Sequence, residues 1–115
     1  MQKQSKAWRK AVLYTLMAVG AVAANAAEPS DVLQLSSTYG CMSCHGMVRK
    51  QVGPGFAQIA ERYRNDPEAP MRTAARIRGG SVGEWGRVIM PRQPRMTEAE
   101  SRLLAAWVLS QPPAR

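Results

Sequence analysis

Cys41-Met42-Ser43-Cys44-His45 is the stretch on which the reading of this chain turns. Two cysteines separated by two residues and followed at once by a histidine form the pattern in which both thiols add to the vinyl groups of a haem and the imidazole ligates its iron. The chain contains no further cysteine and no further histidine, so all its thiol and imidazole chemistry sits in these five residues. A thioredoxin-like dithiol would need a surrounding βαβ pattern, and the flanking residues carry no alternating or β-branched runs. A structural zinc site would need four ligands, and only three are at hand without a carboxylate. A disulfide across two intervening residues would close a tiny loop and tie nothing distant. Haem attachment is the reading the chemistry favours.

On the N-terminal side, Lys3, Lys6, Arg9 and Lys10 precede the small apolar run Ala11 to Ala24, which ends in Ala24-Asn25-Ala26. A positive start, a short apolar stretch and an A-x-A site predict a Sec-type signal peptide over 1–26, with the domain over 27–115. The apolar run is shorter than the roughly 20 residues a spanning helix requires, so no stable membrane insertion is expected after cleavage. Of the 16 basic residues four lie in this leader, as does none of the eight acidic ones, which leaves the domain at 12 − 8 = +4. Its basic residues are spread along the chain and argue against nucleic acid as a partner. A domain of this size buries a limited core, and a covalently held haem would add a large apolar body to it.

Within the domain, Ser30 or Asp31 is expected to cap a first helix reaching Tyr39, with Val32, Leu33, Leu35 and Tyr39 as its apolar stripe and Gly40 as its stop. Residues 46–55 read as a loop around Gly53-Pro54-Gly55. Phe56, Ile59, Ala60 and Tyr63 have the spacing of one helix face, predicting a second helix to about Asn65. A third is expected from Met71 to Arg78, closed by Gly79-Gly80. Residues 79–96 hold too much glycine and proline for a helix, and the apolar Trp85, Val88, Ile89 and Met90 must pack on something. Thr97 and Glu100 form a capping box for a last helix that buries Leu103, Leu104, Trp107 and Val108 and ends near Ser110.

No second histidine exists, so bis-histidine ligation within one chain is excluded, and a thioether ligand would have to come from the five methionines of the domain. Met42 and Met47 are tethered too close to His45, and Met71 is expected in the core by helix periodicity. Met90 and Met96 remain, Met90 stiffened by Pro91 and Met96 placed as a staple before the Thr97 cap.

Taken together, Gly-Cys-Met-Ser-Cys-His, Val52-Gly53-Pro54, Arg76-Ile77, Trp85-Gly86 followed by Met90-Pro91, and the closing Leu104 to Gln111 resemble the small bacterial class I monohaem cytochromes c. The resemblance covers essentially the whole domain. It implies an all-α cytochrome c fold, about four short helices wrapped around one covalently attached haem c, with a Gly/Pro-rich loop carrying the axial methionine. Its Trp-Gly-x-x-x-Met-Pro spacing selects Met90. Cys41 and Cys44 would then carry the haem, with His45 and Met90 on the iron. Pro54 would accept from His45, and Arg76 and Trp85 would meet the propionates. Gln93 stands where an asparagine commonly donates to the methionine sulfur. Arg87, Val88 and Ile89 replace prolines common in the family, which should make the Met90 loop easier to open.

The function so implied is one-electron transfer by a periplasmic, monomeric carrier with redox protein partners, without enzymatic turnover. Arg49, Lys50, Arg87, Arg92 and Arg95 are candidates for a basic rim that meets an acidic partner. The alternatives are a dedicated electron-transfer subunit of a periplasmic dehydrogenase or oxidase, and a haem sensor or peroxidase-like enzyme with a labile sixth ligand.

Overall fold

A computed structural model describes residues 28–114. The expected signal peptide over 1–26 lies outside the described residues. Four helices follow in order: α1 Pro29–Thr38, α2 Phe56–Arg62, α3 Ala69–Gly79 and α4 Glu98–Leu109, with a 3₁₀ turn at Cys41–Ser43. Among the described residues the only extended pairings are two isolated bridges, His45 with Lys50 and Ser81 with Met90. The all-α expectation is met.

Local chemistry explains where each helix differs from its expected bounds. α1 begins two to three residues early at Pro29, whose missing N–H is no loss in a first turn, and neither Ser30 nor Asp31 caps it; the N-cap is Glu28, without a side-chain bond. Its buried face is Val32 and Ser36, whereas Leu33 is 51% exposed and leaves the expected stripe. The Ser36 hydroxyl donates to the Leu33 carbonyl, which is how a hydroxyl tolerates burial there. α2 stops at Arg62, short of Asn65, because Asn65 itself has a left-handed φ of 65° that no helix continues. α3 starts earlier than expected, since Pro70 fits its first turn. Met71, expected in the core, is 68% exposed: the buried residues of α3 are Ala69, Ala74 and Ile77, and at about 100° per residue Met71 lies roughly 120° around the helix from Ile77.

α4 packs against each of the other three helices, most extensively against α3. Thr97 caps it as expected, its Oγ1 accepting from Glu100 N–H (3.2 Å) while Glu100 Oε2 accepts from Thr97 N–H (2.7 Å). The buried cluster is small: Val32, Ala74, Ile77, Met96, Leu104 and Ala105. Leu35, Tyr39, Met90, Leu103 and Trp107 are only half covered around it. Gly40, at φ 66° in the left-handed region, ends α1 and turns the chain directly into Cys41.

Candidate functional site

The 3₁₀ turn sets His45. Cys41 accepts at its carbonyl from the N–H groups of Cys44 (3.2 Å) and His45 (3.0 Å), and the Cys44 carbonyl accepts from Val52 (3.1 Å) and Gly53 (2.8 Å). The loop 46–55 is thereby folded back onto the motif. His45 is 8% exposed, and its Nδ1 lies 2.7 Å from the Pro54 carbonyl oxygen. A carbonyl only accepts, so Nδ1 carries the proton and Nε2 keeps its lone pair. Nε2 has no hydrogen-bond partner among the described residues, and no buried side-chain nitrogen or oxygen there lacks one, so Nε2 opens onto free space. The Phe56 ring stacks on the imidazole at 5.2 Å and 18°, and Trp107 meets Phe56 edge-on at 5.1 Å. Gly53 allows this closeness: a Cβ there would sit 2.7 Å from His45 Cε1.

That free space is a cavity of about 340 Å³ bordered by Cys41, Cys44, His45, the inner faces of the helices and the loop that carries Met90. Both thiols are free, and burial pushes that of Cys41 above its ordinary range. Met90 and Met96 both border the cavity. Met90 is half-buried, tied by paired bonds to Ser81 (Met90 N–H to Ser81 O 2.8 Å, the reverse 3.1 Å). Met96 is 2% exposed, a core residue beside Leu104 and Ala105. Met42 and Met47 are exposed. Arg76, Trp85 and Gln93 also border the cavity. Arg76 Nη2 is 3.1 Å from Glu84 Oε1, and its Nη1 donates to the Tyr63 hydroxyl at 3.2 Å. Gln93 donates its backbone N–H to the Arg78 carbonyl (2.9 Å).

Two free thiols, a lone pair on a fixed neutral imidazole, a thioether and apolar walls match what a covalently held haem requires. A sequence model of the family described as cytochrome c matches residues 31–112. The chain belongs to the cytochrome c family. This cytochrome is 43% identical over 77 residues to cytochrome c-552 of Hydrogenobacter thermophilus, covering 67% of this chain and 78% of the relative. It is 36% identical over 99 residues to cytochrome c-551 of Pseudomonas aeruginosa, covering 86% and 94%. The crystal structure of Nitrosomonas europaea cytochrome c552 is similar to it at 34% identity and a TM-score of 0.66, covering 69% of this chain and 98% of that one. The cofactor is one covalently bound haem c with its iron, and the role is haem electron transfer between redox partners. Among the described residues no helix is long and apolar enough to cross a membrane.

Sequence reading of this cytochrome missed three groups at the site. Phe56 was legible as a helix-face residue, but its stacking on His45 depends on the fold-back of loop 46–55. Arg62 lies over Trp85 (4.4 Å to the ring centroid) and donates to the Glu84 carbonyl at 2.8 Å, and Tyr63 meets Trp85 edge-on at 6.3 Å. Only the end of α2 hints at them, since Arg62 and Tyr63 stand where the helix stops. Val88 and Ile89 border the cavity and are 63% and 69% exposed. The five candidate rim residues, Arg49, Lys50, Arg87, Arg92 and Arg95, are all exposed, and none is in an ion pair among the described residues.

Proposed function

We propose that this cytochrome is a diffusible periplasmic electron carrier in which His45 and Met90 are the two axial ligands and Cys41 and Cys44 hold the haem by thioethers. The observation that carries the reading is His45: its Nδ1–H is engaged by the Pro54 carbonyl at 2.7 Å, so Nε2 is the ring nitrogen presented to the cavity that Met90 and both thiols border. Bound there, the haem supplies a one-electron iron couple, and a thioether ligand favours its ferrous form. The chain's own contribution is to keep the ligands still. Pro54 and Phe56 fix the imidazole plane, and the Ser81 bridge fixes the backbone of Met90. Arg76 and Trp85 would meet the propionates, and Gln93 would lie beside the Met90 sulfur. With both axial positions filled by protein, no position is left for a substrate, which supports a carrier without enzymatic turnover.

Every ligand comes from one chain, so a monomer suffices. The basic start, the apolar run and Ala24-Asn25-Ala26 support export with cleavage after Ala26. The five unpaired cations support docking to an acidic redox partner.

The test is the absorption spectrum of the purified holoprotein. A low-spin ferric form with the weak near-infrared sulfur-to-iron band is the expected result. A high-spin ferric spectrum at neutral pH would overturn the assignment of Met90.

A further inference from the structure

Glu84 has no part in the reading above. It is the sole acidic residue between Ala69 and Thr97, a stretch that holds six arginines. Its side chain is 34% exposed and does not border the cavity. Instead it stands behind residues that do. One carboxylate oxygen, Oε1, faces Arg76 Nη2 at 3.1 Å and accepts from the Tyr63 hydroxyl at 3.3 Å, and the Glu84 carbonyl accepts from Arg62 at 2.8 Å. Arg62 in turn covers the Trp85 ring. A single residue thus ties α2, α3 and the Met90 loop together at the wall of the haem cavity.

We infer that Glu84 is a positioning residue for electron transfer, clamping Arg76 and Tyr63 at the cavity wall while its negative charge favours the oxidised haem. The inference rests on the His45/Met90 carrier reading. Oxidised iron carries one more positive charge than reduced iron, so a carboxylate beside the cavity stabilises the oxidised form and lowers the reduction potential. It also offsets the Arg76 charge, which acts in the opposite sense. The groups that face it are the Tyr63 hydroxyl and Arg62 from α2, and Arg76 from α3, with Arg72 over the Tyr63 ring. Arg87 follows on its own loop, and the haem brings two propionates.

The experiment is a redox titration of the holoprotein and its Glu84→Gln variant at neutral pH, with Glu84→Asp as a second variant that keeps the charge. The expected result at neutral pH is a higher potential in Glu84→Gln, equivalent to a roughly three- to tenfold shift of the equilibrium with a fixed mediator. Glu84→Asp, which keeps the charge, should stay close to the parent. The low-spin spectrum should be the same in all three. A low-spin parent whose potential ignores Glu84→Gln would overturn this inference alone. A high-spin parent would overturn the carrier reading together with it.

Discussion

At the scale of single residues, the site is governed by contacts to one imidazole and by the contrast between two methionines. A Cβ at position 53 would lie 2.7 Å from His45 Cε1 and 3.1 Å from Nδ1, and neither the ring nor the Pro54 bond can yield without the other. Gly53→Ala should therefore lower the yield of haem-loaded protein and destabilise it by about 1–3 kcal/mol, read by denaturant unfolding. Met90 and Met96 border the same cavity but differ in burial, half-buried against 2% exposed. Met90→Ala should convert the ferric spectrum to high spin and admit added imidazole. Met96→Ala should leave the spectrum low-spin and instead cost about 2–5 kcal/mol of stability, because it empties a packed core position. An exchange of those two outcomes would move the ligand to Met96.

At the scale of elements, α4 is the organiser, and its N-terminus is tied to α1. The Tyr39 hydroxyl donates to Glu100 Oε2 at 2.9 Å, joining the end of α1 to the capping box of α4. Thr97→Ala should destabilise the protein by about 1 kcal/mol in a thermal or denaturant melt. The Thr97 backbone N–H and then the Tyr39 hydroxyl hold the Glu100 carboxyl below its usual range, while the Glu100 bond pushes Tyr39 above its own. For the depressed carboxyl, stability is present above its unfolded value and lost as pH falls through the folded one. For the raised phenol, stability is complete below its unfolded value and lost as pH climbs through the folded one. The stability difference between the parent and Tyr39→Phe should accordingly be level across neutral pH and shrink at both extremes. A difference that grows on acidification would contradict the bond.

At the scale of the molecule, charge is unevenly used. Asp66, Glu84 and Glu98 are each paired with an arginine, whereas Arg49, Lys50, Arg87, Arg92 and Arg95 are exposed and unpaired among the described residues. Electron exchange with an anionic iron-cyanide complex should slow as salt is raised, by stopped-flow measurement, and Arg87→Glu with Arg92→Glu should remove most of that dependence. Rates indifferent to salt in the parent would remove the basic rim. Much of this molecule was legible beforehand: the four helices, the Thr97 cap and the Gly40 and Gly80 stops follow from local chemistry, which acts within a few residues. The misplacements have equally local causes. Met71 faces outward because it lies roughly 120° around α3 from the buried Ile77, and α2 ends at Arg62, ahead of the left-handed Asn65. The clamp of Arg62, Tyr63 and Arg76 on Glu84 was not legible, because the three lie 8 to 22 positions from Glu84, on two other segments.

By itself, the sequence determined the haem motif, the helix count and the pair of candidate thioethers, since each rests on residue identity and short-range periodicity. The Pro54 partner of His45 was already implied by the resemblance and is found at 2.7 Å; only the tertiary structure decided that Nε2 then opens onto the cavity, that Phe56 lies against the ring, and that Met96 is core while Met90 is left half-covered at the cavity. The physical reason is reach. Periodicity and capping are set within a turn or two of chain, whereas a ring's tautomer, a stacked neighbour and a clamped arginine depend on which distant segments the folded backbone brings within hydrogen-bond distance.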